Sequence, residues 1–276
     1  MPQLVLYANL WTLAGHPSAS REWSLPRKVA AIHAAGFKAF SGPPNPALRP
    51  LADRHGLRLL GAFSASNAAD IARGLRTFQT LEAEQVNLQL ADDFTPLREA
   101  VRLAIGAFAL AERLKVSLSI ELHRDTCTET PEKLHSLADA VGRRLGRPMP
   151  IAWDFSHFAI VKHLAPDNFS ARMLARPALV QAATLFHLRP FNGHHIQVPV
   201  TQNGRLTPET RAWLPFARDV MQLWCAAPSN AEREMFVCPE LGPRDGYGLS
   251  IFPPVWPDAV RLRRELAAVW RAITPR

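Results

Sequence analysis

Short apolar runs alternate with longer amphipathic stretches along this chain, and the alternation repeats eight times. The runs cover residues 4–10, 37–40, 57–63, 85–90, 116–121, 151–154, 183–188 and 235–240. Helical spacing follows each of them, over 27–35, 47–55, 68–81, 96–114, 131–145, 170–176, 208–224 and 258–273. Runs this short suit strands covered on both faces, and the stretches between them suit crossover helices. Gly36 and Gly56 stop two of the helices and Pro131 opens another. Such alternation implies a parallel sheet. Eight units favour closure into a (β/α)8 TIM barrel over an open doubly wound sheet. The turn after the first run carries no GxGxxG, so a dinucleotide fold has no support. The 276 residues fit one such barrel, and no linker or low-complexity tract divides them, so residues 1–276 read as a single domain.

Composition narrows the function classes. The chain is 47% hydrophobic and 20% charged, as globular proteins are and disordered ones are not. No stretch approaches the roughly 20 apolar residues that cross a bilayer. Residues 1–7 lack a basic region followed by a long apolar one, so they read as a first strand, and the cytoplasm is the expected location. Cys127, Cys225 and Cys238 are widely spaced with no CxxC pair, which predicts free thiols. The net charge of +8 would suit an anionic substrate or nucleic acid. Its Lys and Arg residues are scattered, however, so a solvated basic surface is the expectation and nucleic acid is not an expected partner.

In a barrel of this kind the chemistry lies where the strands end. The last four runs end in Glu121, Asp154, His187 and Glu240. Strand ends converge on the barrel axis, so these side chains should meet. Three carboxylates brought together without a cation repel one another. A divalent metal resolves that conflict, and three oxygen donors with one imidazole suit Mn²⁺, Mg²⁺, Co²⁺ or Zn²⁺. His123 stands in phase with Glu121, since residues two apart share a strand face. Trp11, just past the first run, is the aromatic we assign to the pocket wall.

The set Glu121, Asp154-x-x-His157, His187 and Glu240 resembles that of the xylose isomerase-like TIM-barrel superfamily. The loop Phe191-Asn192-Gly193-His194-His195-Ile196-Gln197-Val198-Pro199, with Asn203-Gly204-Arg205-Leu206 after it, is similar to that of its sugar phosphate isomerase/epimerase members. These residues lie in the second half of the chain; the first half matches only in strand–helix rhythm. The resemblance implies a metal held by Glu121, Asp154, His187 and Glu240. It also implies that Glu121 and Glu240 serve as acid and base on opposite faces of the substrate. His157 would then either support the metal ligands from behind or contact substrate, and His123 and His195 would contact substrate. Arg189 would stand in for a loop arginine that some epimerases use to hold it.

The activity implied is isomerisation or epimerisation of a small sugar, sugar phosphate or keto-polyol, by carboxylate-mediated proton transfer through a metal-stabilised enediolate. A dehydratase or lyase starts with the same proton abstraction and is the alternative. An apurinic endonuclease fits less well, because the third and fourth strand ends, Phe63-Ser64-Ala65-Ser66 and Leu90-Ala91-Asp92-Asp93, supply no histidine. A non-catalytic ligand-binding barrel would not need the acidic set intact. A homodimer is compatible with the group.

Overall fold

The computed structural model describes residues 1–243 and 247–274. Eight parallel strands close into a barrel: β1 (Gln3–Asn9), β2 (Ala39–Gly42), β3 (Arg58–Ala65), β4 (Gln85–Leu90), β5 (Leu118–Glu121), β6 (Ile151–Asp154), β7 (Leu185–His187) and β10 (Glu234–Cys238). Between the last two lies a two-stranded antiparallel ribbon, β8 (Thr201–Gln202) and β9 (Arg205–Leu206), inside the loop that leaves β7. Each strand pairs with its neighbours in sequence, and β1 pairs with β10 to close the ring. The expected (β/α)8 barrel is the observed one. Among the described residues no helix is long and apolar enough to cross a membrane.

Six expected helices form within two residues of their anticipated limits: Leu25–Ala34, Leu48–His55, Ala68–Thr80, Leu97–Leu114, Pro131–Leu145 and Pro208–Cys225. The C-terminal helix begins at Val255, three residues earlier than its spacing predicts. The helix expected over 170–176 is absent as such. That crossover breaks into three short helices, Phe155–Val161, Phe169–Met173 and Pro177–Ala182. Pro166 and Pro177 account for the interruptions, since a proline has no amide hydrogen and clashes with the preceding turn.

Two apolar layers result. Outside the sheet a continuous core packs helices on strands, with Trp153, Trp213, Trp224, Phe78 and Phe155 fully buried. Inside the ring a second, smaller cluster forms from Val5, Tyr7, Ala39, Leu60, Ala152, Leu185, Phe236 and Cys238. Side chains alternate across a strand, so each inward series continues toward the C-terminal rim in steps of two. Val5 and Tyr7 lead to Asn9, Ala152 leads to Asp154, Leu185 leads to His187 and Arg189, and Phe236 and Cys238 lead to Glu240. The barrel interior is apolar at depth and charged at its upper end.

Candidate metal centre and cavity

The predicted convergence is present. One donor atom from each of Glu121, Asp154, His187 and Glu240 lies within 4.8 Å of the other three. All four residues are buried, between 0 and 6% exposed. Neighbouring registers bring them together: Asp154 pairs with His187 between β6 and β7, and His187 pairs with Cys238 between β7 and β10. Asp154 also caps the helix that follows it, its side chain accepting from the Ser156 amide.

His187 is the hub. Its Nδ1 lies 3.0 Å from Oε1 of Glu121 and 3.3 Å from Oε2 of Glu240. Neither contact has hydrogen-bond geometry, so this buried nitrogen has no hydrogen-bond partner among the described residues. The ring of Tyr7 meets the imidazole edge-on from below, at a centroid separation of 6.3 Å. Each glutamate is steadied from outside the cluster by an amide. Asn87 Nδ2 donates to Oε2 of Glu121 at 2.7 Å, and Asn9 Nδ2 donates to Oε1 of Glu240 at 2.7 Å.

These four residues fit a divalent cation. Ligands about 2.1 Å from an ion place neighbouring donors about 3 Å apart, close to the His187–Glu121 and His187–Glu240 separations. An unpartnered buried imidazole nitrogen facing two carboxylates is the donor arrangement that an ion would complete. Without an ion, charge is balanced through protons. Burial alone would lower His187, but Glu240 and Glu121 outweigh it and raise it to about 9. Burial alone would raise Glu121, and the facing His187 overrides that and brings it down.

Arg189 enters the same cluster. It stands two residues beyond His187 on the same strand face and is 1% exposed. Its Nη2 contacts Oδ2 of Asp154 and lies 3.3 Å from Oε2 of Glu240. It was expected to hold substrate; the structure instead seals it beneath the cavity floor against two of the carboxylates.

Above the cluster opens a cavity of about 690 Å³. Glu121, Glu240 and His123 reach its wall, together with Trp11, Phe63, Tyr247, Arg73 and Arg124. Trp11 and Tyr247 meet edge to face at 4.9 Å, and Arg124 lies over the Tyr247 ring at 4.6 Å. Trp11 and His123 are therefore where the sequence puts them.

His157 lies one layer deeper, fully buried, with Nε2 3.4 Å from Oδ2 of Asp154. Its Nδ1 accepts from the Arg124 amide at 3.2 Å, which puts the proton of the neutral ring on Nε2, facing Asp154. Burial pushes its pKa down to about 4 against the pull of Asp154. His157 therefore supports Asp154 and does not reach the cavity wall.

His195 is also displaced from its expected place. It sits exposed on the loop after β7, its Nδ1 3.2 Å from Asn192 Oδ1, and borders a separate groove with Val198, Pro199 and Phe252. The bend at Gly193 turns the loop outward, where Leu164 backbone packs against the glycine.

Asn9, Asn87 and Tyr247 were missed. The first two were legible in the period of two, because Asn9 follows Tyr7 in phase and Asn87 is a polar residue inside an apolar run. Nothing local marks Tyr247, which reaches the cavity from a loop.

No protein-family model matches the sequence, and no curated protein does. Solved structures do match in shape. A D-allulose 3-epimerase from Methylomonas sp. superposes with a TM-score of 0.63 over 99% of each chain, at 11% identity. A xylose isomerase-like TIM-barrel protein from Mycobacterium smegmatis, in complex with magnesium, gives 0.59 at 13% identity over 99% of this chain and 98% of that one. The chain shares the xylose isomerase-like barrel fold. A third neighbour of the same fold, the IolI protein with a bound zinc atom, covers 100% of both chains at 13% identity with a TM-score of 0.57. Identities this low show a shared barrel fold alone and leave the chemistry to the residues.

Proposed function

We propose that this protein is a metal-dependent isomerase or epimerase of a small sugar or keto-polyol, with Glu121 and Glu240 as its acid–base pair. One observation carries the reading. Of the three clustered carboxylates, Glu121 and Glu240 reach the cavity, while Asp154 is fully buried below it.

Moving or inverting a stereocentre beside a carbonyl requires removing a proton from the adjacent carbon and returning it. Glu121 reaches the cavity with one oxygen held by Asn87 and can accept a proton there. Glu240 stands across the cluster and can return one. The Asn87 and Asn9 amides fix which oxygen each carboxylate turns inward. Positioned acid–base groups of this kind contribute about 10²–10⁴-fold each. Glu121, Asp154, His187 and Glu240 would hold the ion. A bound divalent cation supplies Lewis-acid polarisation of the carbonyl and its neighbouring hydroxyl. Trp11, Phe63 and Tyr247 give the apolar wall on which a sugar ring or chain rests, and Arg73 and Arg124 supply polar contacts at the mouth. The D-allulose 3-epimerase and the metal-bound neighbours agree in fold with this reading.

The test is deuterium uptake from D₂O next to the carbonyl, followed by NMR across a panel of keto-sugars, their phosphates and inososes, with Mn²⁺ added. Exchange that vanishes in Glu121→Gln and Glu240→Gln, with unchanged circular dichroism, supports the assignment. Undiminished exchange in either variant removes that residue from its role. Water loss in place of epimer formation moves the enzyme to the dehydratases.

A further inference from the structure

The two glutamates and the aspartate of the cluster are not equivalent. Each glutamate gives one oxygen to an asparagine and turns the other toward His187. Asp154 has both oxygens engaged. Its Oδ1 accepts from the amide and hydroxyl of Ser156, and its Oδ2 meets Arg189, with His157 3.4 Å away. The guanidinium is fixed in that position. Its Nε donates to the Ser156 hydroxyl at 3.2 Å, and its Cζ lies 5.1 Å from the centre of the Tyr247 ring. A buried arginine cannot shed its proton, so its charge is permanent.

We propose that Arg189 is a built-in counter-cation that shares Asp154 with the divalent ion and thereby sets metal affinity low. This rests on the metal reading above. Three carboxylates bring three negative charges; Arg189 cancels one before any ion arrives. With His187 neutral, as a ligating imidazole is, the three carboxylates and Arg189 together carry two net negative charges in place of three. Glu121, His187 and Glu240 carry most of the binding, and Asp154 contributes least of the four. The ion exchanges readily as a result, and the cluster stays tolerably neutral when it is gone.

Arginine and metal are thus rivals for one carboxylate, and titration of EDTA-stripped, full-length protein with Mn²⁺ or Zn²⁺ alone tests this. Arg189→Met should tighten binding about tenfold or more, while Arg189→Lys, which keeps the charge, should stay near the wild type. Removing the buried cation also leaves Asp154 unpaired, so metal-free Arg189→Met should melt earlier than the wild type and recover when the ion is added. If Arg189→Met does not fold, a comparison of carboxylate variants decides. Asp154→Asn should weaken binding by about tenfold at most, and Glu240→Gln by about 100-fold. Equal losses in those two variants, or unchanged or weaker binding in Arg189→Met, overturn the inference while leaving the metal site standing. No binding by the wild type at millimolar ion would overturn the metal site and the inference together.

Discussion

Asn87 on β4 donates from Nδ2 to Oε2 of Glu121 on β5 at 2.7 Å, in a region closed to solvent. The bond holds one oxygen of a carboxylate so that its other oxygen faces the His187 ring. Asn87→Leu would leave a buried, charged acceptor short of a donor, at a cost of about 1–3 kcal/mol. Urea unfolding should show that loss, and proton-transfer activity should fall further than stability, because the carboxylate is free to turn. Asn87→Asp places a second carboxylate against Glu121 and should be worse on both counts. Wild-type stability in Asn87→Leu would show the bond to be incidental.

Metal addition should raise the melting temperature of the stripped protein. An ion at 100 times its dissociation constant adds about 2.7 kcal/mol of stability. Glu121→Ala and His187→Ala should abolish the rise. A rise that persists in both variants would locate the ion elsewhere.

Two buried histidines should give the metal-free protein a stability optimum near pH 6.5. His157 is held down to about 4 in the folded state. Between about 6.5 and 4 the unfolded chain takes up a proton that the folded chain refuses, so stability falls as pH drops through that window. His187 is raised to about 9. Its stabilisation is complete below about 6.5 and drains away as pH rises toward 9. Each arm should approach about 1.4 kcal/mol per pH unit. His157→Gln should flatten the acid arm and His187→Gln the alkaline one, in urea midpoints measured at pH 4.5, 6.5 and 8.5. Saturating metal should also flatten the alkaline arm, since a ligating nitrogen carries no proton. An alkaline arm that survives in His187→Gln refutes the assignment.

Gly242 offers a way to perturb the cavity without touching the charges. A Cβ there would fall 2.1 Å from the Trp11 ring and 2.8 Å from Tyr247. Gly242→Ala should therefore displace both aromatics, raising KM several-fold, with a smaller change in metal affinity transmitted through the Tyr247 ring that lies against Arg189. Isothermal metal titration beside steady-state kinetics separates the two effects. An unchanged KM would show that those rings do not touch substrate.

The barrel and its four convergent strand ends were legible because a simple rule links them: apolar runs locate strands, and the polar residue closing each run locates the rim. Arg189 carried the right spacing but the wrong neighbourhood, and of the two places open to His157 the structure takes the one behind Asp154. Whether a rim residue points into open space or into a carboxylate depends on barrel closure, which no local pattern encodes. His195 was misplaced for a related reason: the bend at Gly193 lies against the backbone of His163 and Leu164, far away in sequence, and His195 ends up exposed. Tyr247 was invisible because its loop carries no period at all.

The charged cluster comes from β5, β6, β7 and the residues just after β10, whereas Gly42, Phe63, Ser64 and Gln89, from β2 to β4, line the same cavity. On the proposed function, most of the wall that would meet substrate lies in the first four strand–helix units and the acidic cluster in the last four. Asn9 and Asn87 cross from the first four to hold the two glutamates, and Tyr247 and Arg124 cross the other way. If the proposed function holds, a library confined to Gly42, Phe63, Ser64 and Gln89 would alter which molecule is accepted while Glu121 and Glu240 keep their asparagine partners. A scaffold divided in this way has a short path from one preferred compound to the next.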